Sequence, residues 1–266
     1  MGRIADQPAP LAEAVARGRR WLSSSRNDDG SWGYLPDQSG RPEATILAAA
    51  AGLPVATHWL RDHDLGWAQL LLPAAIGDAD PELTRSAVEG ILATESVRTP
   101  DAKGFDGNIL GWSWVPGTAA WVEPTAYAVV SLSRAGHRDH PRAEAGRALL
   151  RDRQCSDGGW NYGNPSSMDK ELAGQLGPTG WATLALPPSE AAERGLAFLA
   201  RALDEPSTLA LSMAALAHVR HARPAEAYTD ALAERLGEHG VRSRVDLTAL
   251  AVAAMACVAE ERRVFW

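Results

Sequence analysis

Residues 145–160 read AGRALLRDRQCSDGGW: a glycine, a leucine pair, Gln154, an acidic turn and then Gly158-Gly159-Trp160. Residues 17–32, RGRRWLSSSRNDDGSW, repeat that frame in the same register, with Gly18, Trp21-Leu22, Arg26 at the glutamine position and Gly30-x-Trp32. A third copy begins at Arg194-Gly195-x-x-Phe198-Leu199 and stops short of its Gly-x-Trp. Two long matches at identical spacing establish an internal repeat, and a repeat constrains a fold more tightly than any single segment does.

Each copy has the same order. An amphipathic helix comes first, with apolar residues at helical spacing and Arg and Glu between them. A turn rich in Asp, Asn and Gly follows. Then comes a helix that is apolar almost all round, and such a helix must be buried on every face. The spacing predicts outer helices over 11–25, 55–61, 82–97, 141–154, 189–202 and 224–238. The matching inner helices are 44–51, 64–76, 124–135, 179–187, 207–220 and 246–260. The second pair has the weakest pattern. Six outer-then-inner hairpins can close into an all-α toroid, an α/α barrel of amphipathic helices around apolar ones with a cavity at the centre. Pro and Gly gather in 35–42, 99–118 and 163–178, outside the helices, and no interdomain linker interrupts the pattern. Residues 11–266 therefore read as one domain behind a flexible segment, 1–10.

Composition narrows the function classes. The 266 residues are 45% hydrophobic, enough for a large core, and the net charge of −7 without a basic run argues against nucleic acid and against electrostatic docking on an anionic membrane. Two distant cysteines, Cys155 and Cys257, make no disulfide framework or zinc knuckle, which suits a reducing cytoplasm. The first ten residues lack a signal-peptide pattern, and the longest apolar stretches are too short to span a bilayer, so membrane contact is expected to be peripheral at most. Ten Trp stand against three Phe and four Tyr, an inverted ratio that demands a specific use for indole rings.

The unit [Lys/Arg]-Gly-x-x-aromatic-Leu-x-x-x-Gln-x-x-x-Gly-x-Trp resembles the QW motif of squalene–hopene and oxidosqualene cyclases and related class II terpene cyclases, whose superfamily includes the β subunits of protein prenyltransferases. The resemblance covers most of the chain and implies the α/α toroid. Residues 17–32 depart from the motif at Arg26, and residues 145–160 at Ala145 and Leu149. Physically the motif is a clamp: a polar side chain at the end of one outer helix bonds free backbone groups of the next element while the Trp covers it. Trp32 and Trp160 thus report on fold rather than chemistry.

Chemistry is expected where the inner helices begin. Aligned on a threonine (Thr45, Gly66 in its place, Thr125, Thr179, Thr208, Thr248), four of the six starts carry an acid two residues earlier: Glu43, Asp64, Glu123 and Asp246. Acids and Thr favour helix N-termini by capping and by the dipole, which is the plain reading of Glu43, Asp64 and Asp246. Glu123 carries a second reading. Class II cyclases protonate an alkene or epoxide with the middle Asp of Asp-x-Asp-Asp-Thr-Ala, and Trp121-Val122-Glu123-Pro124-Thr125-Ala126 resembles that segment, with Glu123 at the donor's place and Trp121 and Pro124 replacing the flanking acids. The peculiar loop 104–117 brings Trp112 and Trp114 near Trp121 in sequence, while Tyr127 and Trp181 lie near inner-helix starts. Aromatic faces stabilise cations, so Trp114, Trp121, Tyr127 and Trp181 are candidate walls of a substrate cavity, together with Glu43. Trp112 equally suits a third Gly-x-Trp clamp, and Trp114 and Trp121 fit either role.

The resemblance then implies acid-initiated cyclisation or isomerisation of an isoprenoid, with Glu123 as donor, Asp246 as supporting acid and no metal or other cofactor. The prenyltransferase zinc site is not matched: Thr45 stands where a cysteine is required. The alternative is a non-catalytic toroid that holds an apolar ligand or a partner protein; an α/α-barrel polysaccharide lyase is a minor one. The resembling cyclases seal their cavity with a second helical domain, and this length leaves room for one toroid, so a homodimer, a partner protein or the 99–118 loop would have to exclude water.

Overall fold

The computed structural model describes residues 10–55 and 57–266. Among them are twelve α-helices and one short β-hairpin. The inner helices are α2 (Pro42–Ala50), α4 (Leu72–Ile76), α6 (Val122–Arg134), α8 (Leu176–Ala185), α10 (Thr208–Arg220) and α12 (Val245–Ala259). Each packs on the next, and α12 packs on α2, so the six close a ring. Outside it run α1 (Pro10–Ser24), α3 (Thr57–Arg61), α5 (Pro81–Ala93), α7 (Pro141–Asp152), α9 (Glu190–Leu199) and α11 (Glu226–Arg235). The hairpin β1 (Ser166–Ser167) and β2 (Lys170–Glu171) decorates the loop before α8. This is the all-α toroid expected. Of the segment 1–10, only Pro10 lies within the described residues, and it opens α1.

Three details depart from the sequence reading. The tight pairs run from inner helix to following outer helix, rather than outer to inner. Repeat glycines fix this: a Cβ on Gly18 would come within 2.3 Å of Val252 on α12, on Gly146 within 2.6 Å of Val129 on α6, and on Gly195 within 2.3 Å of Thr183 on α8. These glycines let each outer helix lie directly on the preceding inner one. Secondly, the helix expected over 64–76 is broken into a 3-10 turn, Gly66–Leu70, and the short α4. Pro73 near the start of α4 offers no N–H to continue the preceding turn. Thirdly, α5 stops at Ala93 instead of 97, because Thr94 turns extended and Val97 forms a bridge with Ala119.

The clamp occurs three times with near-identical geometry. Trp32, Trp112 and Trp160 are fully buried. Their indole N–H groups donate to the carbonyls of Leu22, Ile91 and Leu150 at 2.7, 2.8 and 2.6 Å, taking up orphan acceptors near outer-helix C-termini. Their backbone N–H groups donate to the hydroxyls of Thr45, Thr125 and Thr179 at 3.0, 3.0 and 2.8 Å. Val241 takes the tryptophan's place at α12, donating its N–H to Thr248 at 2.8 Å. Gln154 adds the predicted bonds, reaching Gly158 O at 2.8 Å and Ala191 O, on the next outer helix, at 2.9 Å. Arg26 reproduces the first of these, donating to Gly30 O at 3.1 Å. Trp112 is therefore a clamp residue. The threonines hold the long loops to the inner helices and set a common register for their first turns.

Candidate functional site

With the four clamp threonines at the fourth helical position, the register assigns neighbouring positions to the cavity. On α2, α6, α10 and α12 the second residue reaches the mouth: Glu43, Glu123, Leu209 and Asp246. The sixth lies one turn deeper: Leu47, Tyr127, Trp181 and Leu250. With Trp67 and Leu71 from the broken helix, these side chains line a hollow of about 300 Å³ at the hub. The alignment fails at two starts. Thr208 is the first residue of α10, so Leu211 holds the clamp position there. Asp64 belongs to no inner-helix start; it caps the exposed turn before Trp67 by accepting from Gly66 N at 2.9 Å.

Glu43 and Asp246 do not cap their helices. The Tyr34 hydroxyl donates to Glu43 at 2.5 Å, and the Arg244 guanidinium donates to both oxygens of Asp246, from Nε at 2.8 Å. Arg244 also lies over the Tyr34 ring at 5.7 Å. The four side chains form one connected patch on the α2–α12 side of the mouth. Burial raises the Glu43 carboxyl above its ordinary value; the Tyr34 bond and Arg244 oppose the rise, and the charge of Asp246 adds to it.

Glu123 stands apart from that patch. Among the described residues nothing donates a hydrogen bond to its carboxyl or pairs with it. The Val122 N–H at the start of α6 donates to the Tyr162 carbonyl at 3.0 Å. Burial, and then the nearby charge of Glu43, raise the Glu123 carboxyl to about 7. The helix N-terminus pulls the other way, and here desolvation prevails. Glu123 also borders a second hollow of about 430 Å³, which runs outward past Tyr162, Gln175 and Arg201. It thus sits at the junction of the hub and an outer groove.

An aromatic run lines the α6–α8 side. Tyr127 meets Trp181 edge-on at 4.7 Å and lies 6.0 Å from Trp67 and 5.9 Å from Trp114, while Trp67 and Trp114 meet edge-on at 5.0 Å. Tyr127 and Trp181 line the hollow itself, and Trp114 backs them. Trp121 does not join this run. It is 40% exposed and lines an open cleft of about 570 Å³ with Tyr162 and Leu172. Its backbone explains the placement: the Trp121 N–H bonds to Trp112 O at 2.9 Å, and as the extended residue just before α6 it turns its side chain outward.

Sequence reasoning missed Trp67, Tyr34 and Arg244. Trp67 lies in the one hairpin without a regular pattern. Tyr34 and Arg244 lie in loops, where spacing gives no direction to a side chain.

No family model matches the chain, and no curated protein matches it. Solved structures do resemble it. The apo type II terpene cyclase MstE from Scytonema is similar at 16% identity and a TM-score of 0.47, covering 96% of this chain and 80% of that one. A variant of MstE in complex with its substrate, geranylgeranyl dihydroxybenzoate, gives 16% identity and 0.45 over 96% and 79%. A protein from Actinoplanes gives 18% identity and 0.50 over 92% and 74%. The likeness is one of fold. No described helix is long and apolar enough to cross a membrane.

Proposed function

We propose that this chain is a class II terpene cyclase-like enzyme that carries out acid-initiated cyclisation or isomerisation of an isoprenoid in the hub. One observation carries the reading: a carboxyl without a partner among the described residues, raised to about 7, opens onto an aromatic-walled hollow. In this mechanism the protonated Glu123 transfers its proton to the terminal alkene carbon, or to the oxygen of a terminal epoxide. The resulting tertiary cation lies against the faces of Tyr127, Trp181 and Trp67. Attack by the next alkene closes a ring. Loss of a proton to water or to a carboxylate of the Glu43–Asp246 patch ends the sequence, and Glu123 regains its proton through the mouth. An acid of this strength favours the epoxide, because an alkene is a far poorer base and acid strength falls as pKa rises. Asp246 acts mainly as the anchor of Arg244, which holds the mouth polar on one side, and a second copy or a partner protein covers the mouth to exclude water.

The test is direct incubation with farnesol, its terminal 10,11-epoxide and geranylgeraniol, followed by product analysis. Cyclised product is expected, with a rate that falls as pH rises through about 7, where Glu123 loses its proton. Glu123→Gln is expected to cost at least about 100-fold in rate while leaving ligand retention intact. Product that persists unchanged in Glu123→Gln eliminates the donor, and apolar binding without product from any of the three favours a non-catalytic toroid.

A further inference from the structure

The hollow has a floor as well as a mouth, and the floor limits what enters. Beyond α12, residues 260–266 lie at the end of the ring opposite the acids, and they bury Val264 and Phe265. Phe265 is fully buried and meets Trp181 edge-on at 5.3 Å. Its backbone turns through φ 73, a region that side chains other than glycine rarely adopt. Tertiary packing, rather than local preference, therefore holds the ring under Trp181. Tyr127, Trp181 and Phe265 form a continuous edge-to-face run, with Tyr127 and Trp181 lining the hollow and Phe265 packed behind Trp181.

The geometry points to a short prenyl substrate, with Phe265 as a specificity-determining residue that braces the floor; this rests on the isoprenoid reading above. A non-hydrogen atom takes roughly 20–30 Å³, between its share in a close-packed interior and that of a water molecule in the liquid, so a hollow of about 300 Å³ seats on the order of 10–15 atoms. That is two to three isoprene units. A longer chain leaves its remainder in the outer groove or in water, where it adds little to binding. The hub as it stands does not seat a squalene-sized chain.

Equilibrium dialysis against geraniol, farnesol and geranylgeraniol, quantified by gas chromatography in the Glu123→Gln background, tests the floor without requiring turnover. Retention is expected to tighten from geraniol to farnesol and then level off, with geranylgeraniol within about two-fold of farnesol, since only buried methylenes contribute. Phe265→Leu lets Trp181 settle, and geranylgeraniol is expected to bind at least about five-fold tighter than farnesol. Leu250→Phe fills the hollow from the wall and is expected to weaken farnesol by at least about five-fold relative to geraniol. Near-UV circular dichroism reports whether each variant keeps its core, and Leu250→Phe decides the matter if Phe265→Leu does not fold. Alcohols retained with the same length profile in the folded variants and the parent overturn the floor but leave the isoprenoid reading standing. Failure of the parent to retain any of the three overturns both.

Discussion

The first turns of α6 and α12 begin alike and end differently. Each places an acid at its second position and a clamp threonine at its fourth. On α12, Asp246 is gripped by Arg244 through both carboxylate oxygens. On α6, Glu123 finds no cation and no donor among the described residues, and burial lifts its carboxyl to about 7. The backbone is the same; the loops decide. The loop before α12 supplies an arginine to its acid, while at α6 the loop before α8 supplies the Tyr162 carbonyl to the backbone and, among the described residues, nothing bonds the Glu123 side chain. The two acids differ in what their surroundings supply: a guanidinium to Asp246, and burial to Glu123.

The largest expected effect is catalytic. Glu123→Gln removes the proposed donor and should cost at least about 100-fold in turnover, whereas Asp246→Asn, which keeps one bond to Arg244, should cost less than about ten-fold. Equal losses would erase the distinction. Next comes the pH dependence of stability. A carboxyl whose folded value is raised from 4.5 to about 7 favours folding at low pH and loses that contribution as pH rises through the window between the two values. Chemical denaturation should therefore show the fold weakening by about 2 kcal/mol between pH 4.5 and 8, after allowance for the partly wetted mouth, and Glu123→Gln should flatten that slope. Arg244→Met should cost about 1 kcal/mol, because solvent reaches the guanidinium, and should raise the Glu43 carboxyl further, as read by carboxyl NMR titration. The smallest effect belongs to Tyr34→Phe. Losing its bond to Glu43 should cost about 0.5–1 kcal/mol and also raise Glu43, leaving Glu123 nearly unmoved.

The ring was legible because it is repeated. Gln154 and its Gly-x-Trp announced a clamp, while Gly111-Trp112, which lacks the Gly-x-Trp spacing, left Trp112 open between clamp and cavity wall until its bonds to Ile91 and Thr125 placed it in the clamp. Glu123 was legible as the acid two residues before Thr125. The same alignment failed at Asp64 and Thr208, where the helix start is broken by Pro73 or shifted so that Thr208 begins the helix. Trp121 shows the limit most clearly: it sits two residues from Glu123 in sequence, yet an extended backbone turns it away from the hub. Phe265 carried no signal, since a residue outside any periodic segment takes its position from tertiary packing alone.

The threonine lock has a consequence for how such a barrel changes over time. Because it occupies a position of its own between mouth and floor, the side chains above and below it are not the ones that fasten the loops. Substitutions at the second and sixth positions can alter acidity or depth one at a time while the loops stay fastened, so the scaffold can pass through many chemistries without coming undone.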